Sequence, residues 1–240
     1  MEGPAFERAV NFGAYTGVLR QMIHLLKYER VRAVATLLGR LTAAACLQLE
    51  GDIDVEELLI IPVPAHKARM RSRGFNQAEL IARAAQRGIA ESIGRRVSLE
   101  VTALLRVRFA ESQVALSAEE RRKQIRGSFK VTSRDAVKGR EILLVDDVLT
   151  TGATASECAR ELRQAGAQRV WVVTPARALG RAAQDSSEES VRSALELEPF
   201  SASSSSASQS EQSYSPSSSG LFTSGTARGT LLQRRGITST

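Results

Sequence analysis

The chain has 240 residues, a formal net charge of +7 and two cysteines. That length holds one sizeable α/β domain and leaves little room for a second. The positive balance favours an anionic partner, whether a phosphorylated metabolite, a nucleic acid or a membrane surface, while Cys46 and Cys158 are too few and too far apart for a zinc ribbon or a redox dithiol and read as buried apolar residues.

Residues 1–8 lack the basic and apolar blocks of a secretory signal, and no apolar run approaches a membrane span, so a cytoplasmic protein is expected. Residues 14–49 have helical spacing through Val18, Leu19, Ile23, Leu25 and Leu26 and then Leu37, Leu38 and Leu41. They form the greater part of a helical lead-in over residues 1–57, in which His24 is expected to pack in the core. Residues 58–63 are wholly apolar, as in a buried parallel strand, with Pro62 and Pro64 at its exit. The basic stretch 66–73 is expected as a loop. Helical spacing returns over residues 76–93 through Ala78, Leu80, Ile81, Ala84 and Ala85, and Gly94 stops it.

Short strands are expected at 101–109 and 127–131, with a charged helical turn at 118–124 between them. Residues 141–145 are the clearest buried strand, followed by a helix over 154–165 that Gly166 ends, and then by a strand over 169–174 containing Trp171, again expected in the core. Strands alternating with helices in this way predict an α/β fold with a parallel sheet over residues 58–182. From 183 onward the composition changes, and residues 201–219 are mostly serine, with a few Ala and Gln and one Pro. So few apolar groups cannot offset the ordering entropy, and a mostly disordered tail over 183–240 is expected.

Chemistry concentrates in residues 141–155, Glu-Ile-Leu-Leu-Val-Asp-Asp-Val-Leu-Thr-Thr-Gly-Ala-Thr-Ala. A buried strand that ends in Asp146 and Asp147 and leads through a hydroxyl-rich turn into a helix sits at the carboxyl edge of a parallel sheet, where such folds bind ligands. Thr150, Thr151, Gly152, Ala153 and Thr154 supply hydroxyls and backbone N–H groups at a helix N-terminus, which suits a phosphate. The two carboxylates would repel that phosphate but accept hydrogen bonds from vicinal hydroxyls on the sugar that carries it. A ribose 5-phosphate satisfies both halves.

This segment resembles the phosphoribosyl pyrophosphate signature of type I phosphoribosyltransferases. The wider pattern is similar to the ComF family of phosphoribosyltransferase-like proteins linked to natural competence, through Tyr15-x-Gly17-x-Leu-Arg20 with Leu26-Lys27-Tyr28, Ile61-Pro-Val-Pro-Ala-His66, Arg73-Gly-Phe-Asn-Gln77, Arg121-Arg122 and Gly127-x-Phe129. These matches span residues 15–177. The sequence departs from that family in lacking its four-cysteine zinc module, and in having Gln124 where Asn is usual.

The resemblance implies a type I phosphoribosyltransferase-like fold. It also implies a pyrophosphate site at His66, Lys67, Arg69, Arg71 and Arg73, whose cationic donors suit that role. A mobile lid is implied around Arg106, Arg108, Gln113, Arg121 and Arg122 to exclude water from a reactive sugar cation. The implied reaction transfers phosphoribosyl to a nitrogen nucleophile with loss of pyrophosphate. Magnesium would be held through the pyrophosphate and not by a dedicated set of side chains. Purine salvage enzymes with this motif have an aspartate base where Thr150 stands, which argues against hypoxanthine or guanine as acceptor. The competing reading is a non-catalytic competence protein that senses phosphoribosyl pyrophosphate or holds single-stranded DNA on its basic face, although its aromatic residues are few for a stacking groove.

Overall fold

A computed structural model of the protein describes residues 3–108 and 124–178. The expected strand at 58–63 appears as β2 (Glu57–Pro62) and that at 141–145 as β6 (Glu141–Val145). Both are buried along almost their whole length, so neither alternates in polarity. They lie side by side and parallel at the centre of the main sheet, with Leu59 opposite Ile142 and Pro62 opposite Val145.

The full order places β1 (Arg8–Ala14), then β8 (Arg169–Arg177), β6, β2 and β3 (Arg96–Leu99), every neighbouring pair being parallel. The strand β1 inside the expected helical lead-in is a correction. Asn11 and Gly13 interrupt its apolar run, and as an edge strand it needs only one covered side.

Helices cover both faces. One face buries Leu58, Ile60, Leu143, Val145, Trp171 and Val173 under α1 (Gly17–Tyr28), α2 (Val34–Cys46) and α4 (Gln77–Ile93). The other buries Leu59, Ile61, Ile142, Leu144, Val170 and Val172 under α5 (Ala153–Gln164) and a small hairpin of β4 (Leu104–Arg106) and β5 (Phe129–Val131). That hairpin is antiparallel and separate from the main sheet, and β4 is much shorter than the expected strand at 101–109.

Helices α2 and α4 cross closely because small residues face each other. A Cβ on Gly39 would lie 2.6 Å from that of Ala84, and one on Gly88 would lie 2.9 Å from that of Ala43.

The connection from β2 to β3 runs along the α4 face, and that from β6 to β8 along the α5 face. The chain therefore reverses its winding between β2 and β6, and such a switch point opens a crevice at the strands' carboxyl ends. Among the described residues no helix is long and apolar enough to cross a membrane. The expected helical turn at 118–124 and the tail at 183–240 lie outside the described residues, save for Gln124.

Candidate functional site

The crevice is bordered by the ends of β6 and β2. After Val145 the pairing with β8 breaks and resumes in the same register at β7 (Val148–Leu149), with Val145 opposite Val173 and Val148 opposite Ala176. The Asp146 N–H still donates to the Val173 carbonyl at 3.2 Å. The next rung of a parallel ladder would need an N–H from residue 175, which is proline. The acidic pair occupies this gap.

Adjacent strand positions project to opposite faces, and the partners of the two carboxylates agree with that rule. Asp147 lies on the α1 side, its Oδ1 2.8 Å from the Lys27 Nζ. Asp146 lies on the α5 side, within electrostatic range of Arg106 and of the buried Cys158. One Asp146 carboxyl oxygen accepts the Asp147 backbone N–H at 2.8 Å. Burial first, and the neighbouring Asp147 second, push the Asp146 pKa up to about 7, against the pull of Lys27 and Arg106. Burial works against the Lys27 ammonium, but Asp147 and Asp146 outweigh it and hold its pKa above the ordinary lysine value.

Beyond β7 the chain turns through Thr150 and Thr151, both exposed, to Gly152, whose φ of 74° is the left-handed conformation that glycine adopts without strain. Thr151 Oγ1 accepts the Ala153 N–H at 3.4 Å at the start of α5. A cavity of about 610 Å³ lies against Thr150, Thr151, Gly152 and Ala153, and Arg126 and Arg177 also line it. Neither arginine was picked out by sequence. Thr154 follows in the first turn of α5.

The basic stretch after β2 is not a loop. It forms α3 (Lys67–Arg73), with the His66 Nδ1 accepting the Ala68 N–H at 3.1 Å and Gly74 ending it at a φ of 82°. The absence of an apolar face hid this helix, since none of its residues is buried. Asn76 then caps α4, and its side chain donates to the Val63 carbonyl at 3.1 Å, tying α4 to the end of β2.

Partial desolvation and the cations Arg106, Arg71, Arg69 and Lys67 hold the His66 imidazole below its ordinary pKa. Arg69 also acts electrostatically on Arg106. His66, Arg69 and Arg106 therefore gather with Asp146 at one edge, while Lys67 and Arg71 remain exposed and Arg73 stacks over Tyr28 at 5.2 Å. Arg106 itself lies 5.4 Å from the Phe129 ring centroid, and its buried Nε has no hydrogen-bond partner. Arg108 is exposed beside it, and its N–H reaches the Ser128 carbonyl at 3.5 Å. Gln113, Arg121 and Arg122 lie outside the described residues.

His24 does not pack in the core as expected. Its side chain is 58% exposed on the outer side of α1, against Tyr28 and near Glu29. Trp171 is buried, with its indole N–H donating to Glu141 at 3.0 Å. Among the described residues no group of three or more His, Cys, Asp or Glu side chains could cage a metal ion. The donor set suits magnesium only where phosphate oxygens and water complete its shell, with Asp146 or Asp147 nearby.

The phosphoribosyl transferase domain family matches residues 82–204. DNA utilization protein YhgH of Escherichia coli O157:H7 is 32% identical over 170 residues, which are 70% of this chain and 71% of that protein. Competence protein F of Haemophilus influenzae is 30% identical over 178 residues, 73% of this chain and 75% of that one. Among solved structures, glutamine phosphoribosylpyrophosphate amidotransferase from B. subtilis is 22% identical, covers 58% of this chain and 26% of its own, and has a TM-score of 0.33. With a parallel sheet covered on both faces and an acidic pair at its switch point, this chain belongs to the phosphoribosyltransferase domain family, in its ComF-like branch.

Proposed function

We propose that the protein binds phosphoribosyl pyrophosphate and transfers its phosphoribosyl group to a nitrogen nucleophile. The observation that carries this reading is the position of Asp146 and Asp147 in a gap of the sheet, between the Thr150–Thr154 turn and the cations His66, Arg69 and Arg106. In this reading the two carboxylates accept the ribose hydroxyls. The 5-phosphate takes the N–H groups and hydroxyls of Thr150, Thr151, Gly152, Ala153 and Thr154. The pyrophosphate takes His66, Lys67, Arg69, Arg71 and Arg73.

The acceptor nitrogen forms a bond to the sugar C1 as the bond from C1 to the pyrophosphate oxygen breaks, through a cationic transition state of the glycosyl-transfer kind. Pyrophosphate leaves with the bonding pair, and the protein's work is positioning and charge stabilisation. Magnesium bound to the pyrophosphate neutralises part of its charge. Arg106 and Arg108 stand at the base of the lid segment, whose further members in this proposal are Gln113, Arg121 and Arg122. A cytoplasmic setting suits a soluble phosphorylated substrate of this kind.

Calorimetric titration of phosphoribosyl pyrophosphate with magnesium tests this reading. The native chain is expected to bind it, and an Asp146→Asn/Asp147→Asn double variant to lose that binding. A native protein that is folded and gives no heat would overturn the reading.

The names of the two relatives favour a second reading, in which the site serves competence or DNA use without catalysis and the basic α3 holds single-stranded DNA through its phosphates. Single-stranded DNA binding that weakens steeply with salt, with no phosphoribosyl pyrophosphate bound, would favour it.

A further inference from the structure

Lys27 lies in the Leu26-Lys27-Tyr28 match, which by itself assigns it no role, and the structure brings it to the site. It lies in the last turn of α1, it continues the Leu19 and Ile23 row of that helix at four-residue spacing, and its side chain is only 18% exposed. One of its three N–H groups serves Asp147 at 2.8 Å. The same side chain lines a cavity of about 350 Å³ between α1 and α3, together with Tyr28, Arg30, Arg69, Ser72 and Arg73.

The charges around this cavity do not balance. Four of its lining residues are cations and no lining residue is acidic, and among the described residues Asp147 forms an ion pair with Lys27 only. Arg30 reaches the Ser72 carbonyl at 2.6 Å and Arg73 lies over the Tyr28 ring, so two of the guanidinium groups are held in place by neutral partners. Cations so arranged, with walls from two helices, concentrate an anion that carries several charges.

We propose that this cavity receives the pyrophosphate of phosphoribosyl pyrophosphate and that Lys27 moves its charge between two partners, neutralising Asp147 in the empty site and turning to the pyrophosphate when substrate binds, which frees Asp147 for the ribose hydroxyls. The inference rests on the reading of the site given above and extends the pyrophosphate site from α3 to α1. It makes Lys27 a specificity residue. A sugar phosphate without pyrophosphate must compete with the ammonium for Asp147, whereas the full substrate supplies that ammonium with a new partner.

The raised pKa of Lys27 keeps it charged throughout. Lysine suits such an exchange because its compact ammonium sits on a flexible stem and its N–H groups rotate freely among acceptors.

The test compares the native chain with the variants Lys27→Met, Lys27→Gln and Lys27→Arg in three titrations, with phosphoribosyl pyrophosphate and magnesium, with pyrophosphate and magnesium, and with ribose 5-phosphate. Lys27→Met is expected to weaken both pyrophosphate-containing ligands by about ten- to a hundredfold, the loss of one charged hydrogen bond. Its affinity for ribose 5-phosphate is expected to hold or rise. Lys27→Arg should recover much of the loss. Lys27→Gln keeps a donor for Asp147 without the charge, so it carries the same comparison should the methionine variant fail to fold.

Equal weakening of all three ligands would reduce Lys27 to a structural support of Asp147 and overturn the inference, as would pyrophosphate affinity unchanged by the loss of charge. If the native chain binds inorganic pyrophosphate through Lys27 but not phosphoribosyl pyrophosphate, the inferred subsite stands for pyrophosphate, the exchange with a ribose falls, and the wider reading of the site fails with it.

Discussion

Replacing Asp146 with Asn should make the protein more stable at neutral pH while weakening its proposed ligand contact, since one acceptor oxygen remains without the charge. Burial, then Asp147, raise the folded Asp146 pKa from the ordinary 3.8 to about 7. Between those values the native state retains a proton that the unfolded chain has released. Stability is therefore lost as pH rises from about 4 to about 7 and levels off above that. The full difference corresponds to at most ~4 kcal/mol.

Asp146 keeps some solvent contact, and its charge is attracted to Lys27 and Arg106, an attraction that Asn forgoes. The net gain is accordingly about 1–3 kcal/mol at pH 7.5, shrinking towards zero near pH 4, where the carboxyl is protonated. Urea unfolding of both proteins across this range reads the difference directly. Taking the difference removes carboxylates common to both chains, such as Glu57, Glu100 and Glu157, whose pKa values are lowered and whose effects fall at more acid pH. A variant no more stable than the native protein at pH 7.5, or an advantage independent of pH, would refute this account of the acidic pair.

Gly39→Ala opposes two effects. The substitution gains about 1 kcal/mol in helix propensity, but its Cβ would lie 2.6 Å from that of Ala84 and 2.9 Å from two backbone atoms, which cannot yield as a flexible side chain would. Overpacking of this kind costs about 1–3 kcal/mol, so a lower melting temperature is expected by calorimetry. A higher one would show that α2 and α4 separate at little cost. Gly152→Ala meets only ordinary contacts, the nearest being the Phe6 ring at 3.7 Å, so its cost is the left-handed backbone, about 1–2 kcal/mol. By titration it should also weaken phosphoribosyl pyrophosphate by about tenfold or more, because the turn must shift its N–H groups. Unchanged affinity would remove this turn from the phosphate site.

The central part of the fold was legible because burial on both faces leaves a plain signature. The run at 141–145 coincides with β6, and the helix at 154–165 is displaced by one residue from α5. Elements without such a signature escaped. Helix α3 buries nothing and is defined by its caps, β1 needs only one neighbour, and β3 has no fully buried residue.

The acidic pair could be found because its spacing from a strand and a turn is local in sequence. Its ion-pair partner could not be found in that way, since Lys27 reaches Asp147 from α1, far away in sequence. One signal was available. Lys27 falls on the buried row of α1, where a charge requires an answering charge. His24 shows the opposite error, for an apolar helix still has a solvent side.

Pro175 makes the opening beside the acidic pair a property of the main chain. Side chains at 146 and 147 can change without altering it, because no substitution there supplies the missing N–H on the facing strand. The recess could therefore persist in a relative that has lost both carboxylates, leaving a place for a ligand with the chemistry removed. Closing it would take a change on β8, more than twenty-five positions away in sequence from the residues it exposes.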